Sequence, residues 1–143
     1  MPTNTAGTSA RVDPRNVSNT IKRTLNFGDS DVAQAPIGTL PNGNPLPQSA
    51  CVTDVMVEVV TAFNAATTNT LSVGTNTGSW NNVIAATDVA INSAGVTKVS
   101  RGWGRLFTSG GDTSLYAVYT QSGTAATAGQ LIITITYEGG FST

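Results

Sequence analysis

The stretch Cys51–Phe63, with the sequence CVTDVMVEVVTAF, decides the fold class because its side chains alternate with a period of two. That period is typical of a β-strand with one face on a core and the other toward water. The odd positions predict the core face: Cys51, Thr53, Val55, Val57, Val59, Thr61 and Phe63. Asp54 and Glu58 lie on the even face. Met56 and Val60 lie there too, which indicates that this second face is also partly covered.

Alternation of the same kind marks the segments on either side of this strand. Ile21–Phe27 places Ile21, Leu25 and Phe27 on one face, and Gln130–Glu138 places four large apolar residues on one face. Shorter strand signals lie in the ranges 70–74, 80–86, 89–91, 96–101, 103–108 and 113–120. No window of helical length keeps an apolar stripe with a period of 3.6 residues.

Turn-forming residues recur about every 8–12 residues between these segments, as in β-sandwiches and barrels. The sequence therefore predicts an all-β fold, a jelly-roll-like antiparallel β-sandwich of about eight strands over residues 20–143. Residues 1–19, which lack any periodicity, predict an extended polar and basic arm. The predicted core includes Leu25, Val55, Val57, Val59, Leu71, Val118, Ile133 and Ile135.

Composition limits the classes of function. Charged residues make up 10% of the 143 residues, well under the roughly 25% of an average soluble protein. The formal net charge of −1 favours neither nucleic acid nor an anionic membrane as a partner. No segment has the apolar core of a signal peptide or the roughly 20 apolar residues of a membrane span, so we expect synthesis in a cytoplasm.

The charges are unevenly distributed along the chain. Residues 1–28 carry Arg11, Arg15, Lys22 and Arg23 against one acid, whereas the remainder carries seven acids against three bases. These charges either form an ordinary solvated surface or belong to a basic arm that docks on an acidic surface of another subunit. We take these four basic residues, together with Trp103, as candidate partner-binding residues.

The sequence lacks the residues of common catalytic sites. It contains no histidine and a single cysteine, Cys51, which excludes Ser-His-Asp and Cys-His systems and cysteine-based zinc sites. Asp54 and Glu58 lie four residues apart on one strand face, about 13 Å, too far for either glycosidase geometry. Solvated or interface acids are the better interpretation. We therefore expect no enzyme, no cofactor and no metal.

Three stretches resemble small structural proteins of tailed bacteriophages. The first is Thr53–Gly74, TDVMVEVVTAFNAATTNTLSVG, in which a hydrophobic strand ends in a T-A-F corner and a small-residue turn leads to T-L-S-V-G. The second is Asp88, placed after a short Asn-rich segment as in an A-x-D-V/L pattern. The third, SLYAVYTQSGTAATAGQLIITITYE, is similar to the closing hairpin of these proteins, with Gly129 opening the last strand.

The resemblance implies a jelly-roll capsid cement (decoration) protein, as in some short-tailed phages. Such a protein sits on the outer surface of the head as a homodimer or homotrimer and bridges subunits of the major capsid protein. The alternative is a receptor- or carbohydrate-binding module of a head fibre or tail tip, for which Trp80 and Trp103 are the candidate aromatic platforms. The absence of a coiled-coil or repeat segment favours cement.

Overall fold

The computed structural model describes residues 18–28, 37–39, 50–74, 81–100, 104–105 and 115–139. This part of the chain contains β-strands, turns and no helix. The strands are β1 (Ser18–Asn26), β2 (Ile37–Thr39), β3 (Ala50–Thr61), β4 (Thr68–Gly74), β5 (Gly95–Val99), β6 (Gly104–Arg105), β7 (Tyr116–Ser122) and β8 (Gln130–Gly139). The predicted arm, except for its last two residues, lies outside the described residues.

Two antiparallel sheets form the domain. The larger sheet has the order β1-β8-β3-β5, with β6 also paired to β3, and the smaller sheet has the order β2-β7-β4. The pairs are nested, because β1 pairs with β8, β2 with β7, and β3 with β5 and β6. A bridge between Val73 of β4 and Ile84 completes the series. This is a long antiparallel ribbon rolled into two sheets, which is the jelly roll, and the predicted fold class is confirmed.

The core lies between the two sheets and joins their inward faces. All eight residues predicted to be buried are buried, and Val55, Val57 and Leu71 are fully inaccessible. Val118, at 9% exposure, is the exception in position, because it pairs with Ser72 on the outward side of the smaller sheet. Phe63 and Tyr119 contact each other here, with ring centroids 4.9 Å apart. Burying these side chains drives folding because each removes apolar surface from water.

A β-bulge corrects the predicted face at the start of β3. The register shifts between the pairs Val52–Tyr137 and Asp54–Thr136, which leaves Thr53 as an extra residue. Thr53 is exposed and Cys51 is only half-buried, whereas Ala50 and Val52 are buried. One extra residue reverses which positions face the core, so the prediction of Cys51 and Thr53 as core residues is wrong. The odd face predicted for Val55 to Val59 is correct.

The edges of other elements also differ from the sequence prediction. Phe27 is 42% exposed because β1 ends at Asn26 and the chain then turns. Within residues 81–91 there is no strand, although the sequence predicted two in this region. The chain turns there instead, and Asp88 Oδ2 accepts a hydrogen bond from the Ala85 amide at 2.8 Å. The apolar residues of this segment pack into the core without forming a strand: Val83, Ile84, Val89 and Ile91 are all buried.

The corner after β3 is held by side-chain amides and by a glycine. The side-chain oxygen of Asn64 accepts hydrogen bonds from the amides of Thr127 and Ala128 at 2.8 and 3.0 Å. A Cβ on Gly129, whose φ is +150°, would lie 2.5 Å from the Phe63 ring. Gly129 therefore allows the last strand to start directly against the aromatic side chain. This is the physical basis of the T-A-F corner and of the glycine before β8.

Candidate interaction surface

The outward face of the larger sheet carries charged and apolar side chains in register across its four strands. In one row, Lys22 of β1 pairs with Thr134 of β8, which pairs with Met56 of β3. Met56 pairs in turn with Lys98 of β5. The strands place these side chains side by side because residues two apart along each strand share a face. Lys22, Met56 and Lys98 are all exposed.

Glu58 lies at the centre of the next row and is surrounded by apolar side chains. Met56 and Val60 precede and follow it on the same face of β3, and they are 38% and 45% exposed. Ile132 and Val96 are its cross-strand partners on either side. Val96 is 63% exposed and Ile132 is half-buried. We call Met56, Glu58, Val60, Val96 and Ile132 the Glu58 patch.

Asp54 is the second carboxylate on this face and is incompletely satisfied. Its Oδ1 is shielded from water and has no hydrogen-bond partner among the described residues. Lys98 Nζ lies 3.4 Å away, close enough for ionic attraction. The two side chains are 38% and 72% exposed, so the ion pair contributes little to stability.

The outward face of the smaller sheet has a different character. It carries hydroxyl side chains from β4 and β7: Thr68, Thr70, Ser72, Thr120 and Ser122. The hydroxyls of Thr68 and Ser122 are hydrogen-bonded to each other at 2.7 Å. Thr70 Oγ1 reaches the carbonyl of Thr120 at 3.5 Å. These two bonds join β4 to β7, and the five named side chains are uncharged.

Inside the smaller sheet, Tyr119 connects the core to the loop after β3. Its hydroxyl donates to Asn69 Oδ1 at 2.6 Å, and Gln121 Oε1 lies 3.2 Å away. Asn69 also binds both backbone groups of Ala65. Burial raises the pKa of Tyr119 above its ordinary value of 10.0 because it disfavours the phenolate. This group organises the loop and is not exposed for binding.

The structure separates the basic residues that it describes. Lys22 is exposed on the outward face, whereas Arg23 is half-buried and shares the inward side of β1 with Ile21 and Leu25. Consecutive residues of a strand point to opposite faces, so these two do not form one patch. Arg11, Arg15 and Trp103 lie outside the described residues, as does Trp80.

Sequence reasoning missed part of the Glu58 patch. Val96 and Ile132 belong to it only because β5 and β8 flank β3, and a single sequence does not reveal that pairing. The available signal was the pair Met56 and Val60, apolar residues on a face otherwise expected to be polar.

The described residues offer little for catalysis or metal binding. They contain no group of three His, Cys, Asp or Glu side chains placed to hold a metal ion. Cys51 is a half-buried free thiol. No helix among them is long and apolar enough to cross a membrane.

Comparison with known proteins identifies similar folds. No family model matches the chain, and no curated protein matches it in sequence. A chain of the capsid asymmetric unit of cyanophage Pam1 is similar in structure, with a TM-score of 0.63, 20% identity, and coverage of 96% of this chain and 99% of that one. A chain of the acid-stable capsid of Helicobacter pylori bacteriophage KHP30 is similar with a TM-score of 0.57, 18% identity, and coverage of 87% and 89%. At these identities the likeness establishes that this chain has the same sandwich fold as proteins found in phage capsids.

Proposed function

We propose that this protein is a structural virion protein, a capsid cement protein that binds the outer surface of a phage head. It is made in the cytoplasm of the bacterial host, and it stabilises the shell by bridging neighbouring subunits of the major capsid protein. The observation that carries this proposal is the likeness over nearly the whole length to a chain of a phage capsid asymmetric unit.

The size of that capsid chain supports an accessory role. Because the match covers 96% of this chain and 99% of the other, the two chains have about the same length. A jelly roll of 143 residues is one domain with one core. It has room for contact surfaces on its two sheets, and no additional domain is required for attachment.

The surface chemistry fits attachment by contact. The Glu58 patch groups exposed apolar side chains around a charge, which is typical of a surface that another protein covers. Binding would stabilise the assembled shell by mass action, since the cement protein adds free energy only to the state that presents its docking site. A modest contact repeated over the whole shell is sufficient.

The basic arm is the second attachment element of the proposal. Deleting residues 1–17 leaves β1 intact and should leave the fold intact. Attachment should weaken because Arg11 and Arg15 make charge-assisted hydrogen bonds to an acidic partner. Changing both arginines to Glu should weaken attachment similarly and make binding less sensitive to salt.

The test is to strip heads of this protein, add back purified variants and measure occupancy by cryo-microscopy. Wild-type protein should occupy repeated positions over the shell, and the truncated form should occupy fewer of them at equal concentration. If the truncated form binds as tightly as the full chain, the arm has no role in attachment. If the protein is found at the tail or on a fibre of native particles, the receptor- or carbohydrate-binding alternative replaces the cement proposal.

A further inference from the structure

The two carboxylates on the outward face of β3 form a regular pattern. Asp54 and Glu58 lie four residues apart in a part of β3 without a bulge, since every residue from Asp54 to Val59 pairs in sequence with β8. Their Cα atoms are therefore about 13 Å apart. Between them lies Met56, whose cross-strand partner is Lys98. Row by row across the strands, the face carries Asp54, then Lys98, then Glu58, and Lys98 Nζ reaches to 3.4 Å from Asp54 Oδ1.

The amino-terminal sequence has the inverse pattern with the same spacing. Arg11, Asp13 and Arg15 stand at positions i, i+2 and i+4, which share one side of an extended chain. The two arginines are then also about 13 Å apart. The segment reads positive, negative, positive, which is the inverse of the order in which Asp54, Lys98 and Glu58 occur in the rows of the face.

We propose that Arg11–Arg15 of one copy docks in an extended conformation along β3 of a neighbouring copy. The arginines lie over Asp54 and Glu58, and Asp13 lies beside Lys98. This contact links copies of the chain to each other. It rests on the proposed function in requiring that copies sit side by side on the shell, and it makes a neighbouring copy the acidic partner of the arm.

The apolar residues of the Glu58 patch explain why arginine suits this surface. The methylene stem of an arginine packs on apolar side chains while its guanidinium binds a carboxylate with two parallel hydrogen bonds. Met56, Val60 and Val96 offer such a surface around Glu58. An arginine over Asp54 meets the exposed part of its carboxyl group, since this side chain is 38% exposed. The covered apolar rim excludes water and strengthens both ion pairs.

Strand geometry favours a neighbouring copy over the same chain. Ser18 is the first residue of β1 and pairs with Glu138, beyond the Asp54 end of the face. An extended continuation of β1 toward the amino terminus would run away from the acids of β3. To return over its own sheet the chain must reverse, and a β-turn takes four residues. Arg15 would then lie within the turn, so both arginines could not lie extended over the acids of their own copy.

A charge exchange tests the contact. One variant carries Arg11→Glu and Arg15→Glu, the other carries Asp54→Arg and Glu58→Arg. In each variant alone, arm and face have the same sign, and self-association measured by sedimentation should weaken at least about tenfold. In an equimolar mixture each arm meets an oppositely charged face of the other variant. The mixture should associate to within about threefold of wild type, because complementary signs are restored.

Controls separate this contact from folding and from the proposed function. Thr120→Arg adds positive charge on the outward face of the smaller sheet and should leave association unchanged. If the variant with both acids changed folds poorly, Glu58→Arg alone takes its place in the exchange. On stripped heads the mixture should again exceed either variant alone. Wild-type protein that fails to bind heads would refute the cement role, and sedimentation would still decide the contact. A mixture that associates no better than its components, in solution and on heads, would overturn the inference.

Discussion

The outward faces of the two sheets are built from strands of the same domain, yet their chemistry differs. On the smaller sheet the hydroxyls bond to each other, as Thr68 does with Ser122. On the larger sheet Asp54 retains an unbonded oxygen among the described residues, and Val96 is 63% exposed. A face of uncharged hydroxyl side chains has little to gain from a partner, whereas a face with exposed apolar groups gains by being covered. The larger sheet is therefore the face to test for binding.

The largest loss of stability is expected from a substitution in the core that the two sheets share. Ile133 on β8 is fully buried between the sheets, so Ile133→Ala should lower the free energy of unfolding by about 2–5 kcal/mol through lost burial and a cavity. Denaturant titration measures this loss. Binding to heads should fall in proportion to the folded fraction. A variant of unchanged stability would contradict the shared core.

Tyr119→Phe should have an intermediate effect, confined to the interior of the smaller sheet. It removes the hydroxyl that donates to Asn69 at 2.6 Å, which should cost about 0.5–1.5 kcal/mol at neutral pH. The raised pKa of Tyr119 also links stability to pH: the stabilisation is present below pH 10.0 and is lost as pH rises toward the folded-state pKa. Wild type should therefore lose stability more steeply than the Phe variant above that pH. Parallel curves would contradict burial of this phenol.

The smallest effect on stability and the sharpest contrast between the faces come from a matched pair of surface variants. Val96→Ser makes the larger face more like the smaller one, and Ser72→Val does the reverse on β4. Val96→Ser should change the free energy of unfolding by less than about 0.5 kcal/mol and reduce occupancy on stripped heads several-fold. Ser72→Val should leave occupancy unchanged. Equal occupancy for both variants would remove the distinction between the faces.

Particular residues show how far sequence reasoning reached. The alternation in β3 and β8 identified Val55, Val57 and Ile133 as core residues because a period of two leaves one arrangement that hides them from water. The same reasoning failed at Thr53, because a bulge is defined by the partner strand and not by the bulged strand alone. It also failed at residues 83–91, whose buried apolar side chains lie in turns.

Some residues of the candidate surface could be placed from the sequence, and others could not. Met56, Val60, Asp54 and Glu58 could be assigned to one face from their spacing alone. Val96, Ile132 and Lys98 joined them only through pairing between strands distant in the chain. Long-range pairing depends on which sheets pack together, and a single sequence carries little local information about that choice.

By itself, the sequence determined that this protein is all-β and which residues between Val55 and Val59 and in β8 face the core, and it indicated that the second face of β3 is partly covered. These properties follow from local periodicity and from the free energy of hiding apolar side chains. Only the tertiary structure decided that β1 and β8 are neighbours, that Thr53 bulges, and that Lys98 and Val96 complete the face around Glu58. Those outcomes depend on pairing between strands that are distant in the chain. The position of each strand is set by the strands that pair with it when the two sheets pack together.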